Sequence, residues 1–172
     1  MTNGIRFAEG LKILPVLGPL AVGAAEAVTA GVDMDMANWC TFLVNFGNMT
    51  SCDSDACVVL ARCSSEATSA TTEPLAIPFW YRISGPVNTD AMGAIAHVET
   101  SDNGFGTSDV GHADDFLNAT LVVDIDPAEV AARAAQQRWV SLSITPTGPI
   151  AILGEVAVVE HKYPGNSIPS ST

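Results

Sequence analysis

From Gly31 onward the chain is written in short apolar runs separated by turn residues. That texture predicts an all-β sandwich or barrel. Candidate strands fall at residues 32–36, 40–46, 56–63, 75–84, 92–100, 116–126, 139–145 and 150–160. In the second of these, Cys40, Phe42, Val44 and Phe46 share one face by the period of two. The clearest alternation is in 116–126. Leu117, Ala119, Leu121, Val123 and Ile125 point one way, and Asn118, Thr120, Asp124 and Asp126 the other. Val140, Leu142 and Ile144 alternate with Ser141 and Ser143, and the turn at 146–149 predicts a hairpin with the run that follows. Pro78 lacks a ladder donor, so its run belongs at an edge or a bulge.

One helix interrupts this texture. Residues 127–137 (PAEVAARAAQQ) follow Asp126, a capping residue, and open on Pro127 with Glu129 in the first turn. The strands and single helix predict a mainly β, antiparallel sandwich or jelly-roll-like domain, since parallel crossovers need more helices. The expected organisation is an extended apolar N-terminal arm over 1–30, a β domain over 31–163 and a C-terminal tail over 164–172. Residues 13–25 resemble the apolar middle of a signal peptide. They are too short to span a bilayer as a helix, and Pro15, Gly18, Pro19 and Gly23 break them. We read them as an arm packing on its own domain or on a neighbour.

Charge narrows the partners. The chain carries 7 basic and 19 acidic residues, a formal net charge of −12. The basic residues are scattered singly, which argues against direct nucleic-acid binding and against an anionic membrane. Only 15% of residues are charged and 48% are hydrophobic, a composition suited to a chain that hides part of its surface in an assembly.

Candidate chemistry is sparse. Cys40, Cys52, Cys57 and Cys63 follow no zinc spacing; a disulfide from Cys52 to Cys57 or Cys63 stays open beside free thiols. Of the histidines, His97 reads as a strand residue, His112 lies in a Gly-rich loop beside Asp114 and Asp115, and His161 follows the last strand. The pairs Asp33/Asp35, Asp53/Asp55 and Asp124/Asp126 put two carboxylates on one strand face, yet none sits in an EF-hand loop. Asp124/Asp126 opens the helix. No nucleophile-elbow, zincin, P-loop or dinucleotide motif occurs. We therefore expect no enzyme, no cofactor and no metal. Trp39, Trp80 and Trp139, with Phe79 and Tyr81, read first as core. Trp139 stands on the Ser side of its strand and is the best aromatic interface candidate.

The order of features resembles small structural proteins encoded beside the major capsid protein of tailed phages. The residues that carry the likeness are VDMDMANWCTFLVNFGNMT, a strand ending LARCSS, LVVDIDPAEV, RWVSLSITPTGP and ILGEVAVVEHKYPG. The resemblance implies a capsid decoration or cement protein, assembled in the bacterial host cytoplasm and located in the virion. Its partners would be the major capsid protein and further copies of itself, a trimer among the options. On this reading the interface residues are Ile13, Leu14, Val16, Leu17, Leu20, Trp139, Tyr163 and Ile168. A neck, tail or fibre-base component, or a secreted calcium- or carbohydrate-binding sandwich, are the alternatives.

Overall fold

The computed structural model describes residues 11–22, 25–47, 57–67, 75–84, 92–99, 105–106, 118–133, 136–146 and 150–162. Over these the chain is mainly β and antiparallel, with one short α-helix, as the alternating texture predicts. Sheet A has the spatial order β1 (Leu11–Val22), β12 (Ile150–His161), β4 (Ala37–Phe46), β10 (Thr120–Ile125), β7 (Phe79–Ile83) and β8 (Ala96–Val98). Sheet B is built on β11 (Trp139–Pro146) paired with β5 (Cys57–Ser64). The short strands β2 (Ala27–Val28) and β3 (Val32–Asp33) line the far side of β11. On the far side of β5 lie β6 (Leu75–Ala76) and β9 (Phe105–Gly106).

The inner faces of both sheets merge into one core. Sheet A contributes Cys40, Phe42, Val44, Phe46, Leu121, Val123, Ile125, Ala157 and Val159; sheet B contributes Val59, Ala61, Cys63, Val140, Leu142 and Ile144. The period-two parity of β4, β10 and β11 thus places the expected residues inward. Burying these branched and aromatic side chains is the main favourable term of the fold, at roughly 1.5–3 kcal/mol for each large one.

The helix is α1 (Pro127–Arg133), shorter than expected, with Val130 buried beneath it. Its start is as predicted: the Ala128 N–H donates to Asp126 Oδ1 at 2.8 Å. Asn118, expected mid-strand, instead occupies a turn with φ 54° before β10. That left-handed conformation suits asparagine better than most residues.

Three expectations change. Residues 32–36 are not one strand: β3 ends at Asp33, whose side chain accepts from the Asp35 N–H and caps a 3-10 turn, Met34–Met36. The run at 75–84 splits at Pro78, with β6 in sheet B and β7 in sheet A. The missing N–H of Pro78 ends one ladder where the chain crosses to the other sheet. The expected hairpin of the last two strands does not form. β11 pairs in sheet B and β12 in sheet A, so residues 147–149 link the sheets. Of the two courses expected for the apolar arm, packing on its own domain or on a neighbour, residues 11–22 take the first, as strand β1 running antiparallel along β12.

Candidate functional site

The outer face of sheet A carries the features most suited to binding. Its residues are those out of phase with the core, and the pairing registers align them in rows. One row runs His97, Trp80, Asp124, Thr41, Val158, Ile13 across all six strands. The next runs Arg82, Val122, Leu43, Val156, Pro15. Ile13, Trp39 and Trp80 are 52%, 36% and 47% exposed. Met92 and Ile95, beside the β8 edge, are also exposed. Partly exposed Leu43, Val156 and Val158 join Ile13 and Pro15 in one apolar patch, larger than scattered single residues would make, while Val122 is buried and Asp124 and Thr41 stand between the patch and Trp80.

Both indoles on this face are held by neighbours. Trp39 Nε1 donates to Thr41 Oγ1 at 3.1 Å and toward Asp124 Oδ1 at 3.4 Å. Thr41 Oγ1 donates to the same carboxylate oxygen at 2.5 Å. Trp80 packs on the His97 ring, with centroids 4.4 Å apart and planes tilted by 43°, and His97 Nδ1 lies 3.0 Å from Glu99 Oε1. Strand spacing and rise put the two tryptophans about 12 Å apart. Large rings already fixed in place lose little freedom on binding and make good anchors.

The anticipated interface residues divide. Ile13 is exposed, on the outer face. Leu14 and Val16 are 6% and 5% exposed and belong to the core, and Leu17 packs against it. The first two are therefore withdrawn from any partner while β1 stays docked, because the inward parity of the strand buries them. The backbone of Leu20 lies in β1, but its side chain, with Tyr163 and Ile168, is outside the described residues.

Trp139 is half-buried. The Arg138 guanidinium lies 5.4 Å from its ring centroid, and both line an open cleft with Asp35, Ser65, Gln136 and Gln137. The serines of its strand are not an open polar face: Ser141 and Ser143 are buried. Ser143 Oγ donates to Glu26 Oε1, which also pairs with Arg62 at 2.7 Å. Thr29 Oγ1 accepts from the Leu142 N–H at 2.9 Å.

Part of the remaining candidate chemistry is absorbed into structure. Arg138 bridges Asp33 at 2.9 Å and Asp35 at 3.5 Å, so that carboxylate pair already has its cation. Cys40 and Cys63 are free and buried, which removes the option of a Cys52–Cys63 disulfide. Burial pushes both thiols up, away from reactive thiolate. His112, Cys52 and the Asp53/Asp55 pair lie outside the described residues, as do the side chains of Cys57 and His161. Among the described residues no group of three or more His, Cys, Asp or Glu converges to hold a metal, and no helix is long and apolar enough to cross a membrane.

Sequence reasoning missed three residues. Trp39 is out of phase with Cys40, Phe42, Val44 and Phe46, and Trp80 is out of phase with Phe79, so parity alone points both outward. Reading them as core followed ring size instead. The third is Glu155, in phase with the inward residues Ala157 and Val159. It is 1% exposed, and neither carboxyl oxygen has a hydrogen-bond partner. Desolvation pushes it up to about 8. No protein-family model, curated protein or solved structure matches this chain.

Proposed function

We propose that the chain is a virion structural protein that binds and stabilises the capsid shell of a tailed phage. It acts as a head decoration or cement protein, through protein contacts and without catalysis. The observation that supports this reading is the outer face of sheet A, where two exposed indoles held by their neighbours accompany an apolar patch of Ile13, Leu43, Val156 and Val158. Such a face fits a protein partner, with the indoles as anchors and Asp124, Thr41 and Arg82 as its polar complement. The major capsid protein is the partner, and further copies of the chain are its neighbours on the shell.

The fold also groups the contacts. Leu11 lies opposite Glu160, so the chain enters β1 and leaves β12 at the same end of sheet A. The segment after β12 carries Tyr163 and Ile168. Weak contacts from the face and from both flanking segments, repeated over a shell, add up through multivalency.

The test uses capsid shells stripped of this protein and the purified full chain. The wild type should co-sediment with the shells and raise their melting temperature. A Trp39→Ala/Trp80→Ala variant should lose most of that binding while keeping its far-ultraviolet dichroism. Undiminished binding by the variant, or recovery of the protein from tails and not heads, would overturn the proposal. The rival carbohydrate-binding reading draws on the same two indoles, since exposed rings also stack on sugars. Saturable binding of soluble oligosaccharides, lost in the same variant, together with no affinity for shells, would favour it.

A further inference from the structure

Glu155 is a carboxyl in the wrong solvent. It projects from β12 into the core, opposite Leu17 of β1 on one side and Val44 of β4 on the other. Its inward neighbours on its own strand and on β4 include Ala157, Phe42 and Phe46, all apolar. From the opposed sheet, Val59, Ala61, Cys63, Val140, Leu142 and Ile144 face inward, and of these only the neutral thiol of Cys63 titrates. Cys40 is the other inward thiol among the described residues; it lies opposite Val159, further along the sheet. No described cation faces Glu155. An ionised carboxylate there would be uncompensated and would have to reach water.

Of the two strands that flank it, β4 is central and β1 is the edge. The hold of β1 is irregular. Its pairing with β12 is regular from Leu11 to Pro15 and then shifts register three times before Val22. Pro15 and Pro19 bring no N–H to the ladder. On its far side a single described backbone bond, from the Ala30 N–H to the Val16 carbonyl at 2.9 Å, ties it to the rest of the molecule. Only residues 23–26 connect β1 to β2. A short connection beside a detachable edge strand is the arrangement that favours swapping of an identical element between protomers.

We infer that β1 is an exchangeable strand: it leaves its own sheet and takes the same place beside β12 of a second copy, and the carboxyl of Glu155 sets how readily it leaves. The occupant is a second copy because an identical strand returns Leu14 and Val16 to the core and Leu17 to its place opposite Glu155. The direction with pH follows from linkage. In the docked state Glu155 holds its proton up to about pH 8, and once β1 lifts and water enters it returns toward its ordinary 4.5. Opening therefore becomes easier as pH rises from about 4.5 to about 8 and levels off above that. The inference does not depend on what the outer face binds.

Ile13 and Val158 lie opposite each other across β1 and β12 on the outer face, which places a test there. Full chains carrying Ile13→Cys alone and Val158→Cys alone are mixed and incubated at pH 5.5 or 8.5. All samples are then brought to one pH for a brief oxidation, and the 13–158 disulfide is read by peptide mass spectrometry. In the mixture that bond can form only between copies. It should accumulate at least ten-fold faster in the pH 8.5 incubation, and Glu155→Gln in both chains should remove the pH dependence. A chain carrying both cysteines should close the bond within itself. If the doubly substituted chain closes it and the mixture never does, exchange is overturned. Persistence of the pH effect in Glu155→Gln overturns the role of that carboxyl. Failure of the doubly substituted chain to close the bond overturns the register on which both rest.

Discussion

At the scale of single residues, two buried carboxylates among the described residues stand in opposite conditions. Asp33 is paired with Arg138 and accepts the Asp35 N–H, so its charge is compensated. Arg138→Ala should strand it and lower stability by about 1–3 kcal/mol, a discount on fully buried pairs because the arginine is 44% exposed. Asp35→Ala, which removes the exposed partner, should cost less than about 0.5 kcal/mol; urea denaturation of both variants checks the contrast. Glu155 has no partner. Its folded-state value lies above its unfolded one, so its contribution is fully present below about pH 4.5 and is lost by about pH 8. Stability should fall across that window by up to about 1.4 kcal/mol per pH unit relative to Glu155→Gln. Parallel urea melts of wild type and variant from pH 5 to 9 would show the two curves diverging and then running level.

At the scale of elements, local rules were legible where they rest on neighbours in the chain. The inward faces of β4 and β10 follow from parity, and the start of α1 follows from Asp126 and Pro127. Asp126→Ala should cost about 1 kcal/mol by leaving the Ala128 N–H without its acceptor. Phe42→Ala, in the centre of the shared core, should cost about 3–5 kcal/mol. Thermal melts of the two variants would separate a local loss from a core one. Pairing was less legible. An apolar strand, a Pro-Gly turn and a second apolar strand describe a hairpin and a crossing between sheets equally well. Nothing local tells β12 to choose β1 and β4 over β11. Likewise Ser141 and Ser143 look solvent-facing in sequence, and they are buried because partners more than a hundred residues away, Glu26 and Thr29 among them, come to lie against β11.

For the whole molecule, a chain with few charges folds so that its inner faces share one core and the outer face of sheet A remains half-open. The proposed capsid contact is therefore dominated by apolar and aromatic surface, not by paired charges. Its affinity should change by less than about three-fold between 0.05 and 0.5 M NaCl, because screening acts on exposed charges. Sedimentation with shells at the two salt concentrations checks this, and a steep loss at high salt would point to a charged interface elsewhere on the molecule.

Sequence alone determined the fold class of this protein: alternation sets which side of each strand is greasy, and Asp126 with Pro127 sets where the helix starts. Those are properties of a residue and its near neighbours, so they survive without knowledge of the fold. Tertiary structure decided which strands meet, which serines are covered, that Trp39 and Trp80 share one face, and that Glu155 is sealed in the core beside an edge strand. Each depends on contacts between distant parts of the chain, whose partners are chosen by the joint packing of two sheets and not by any local preference.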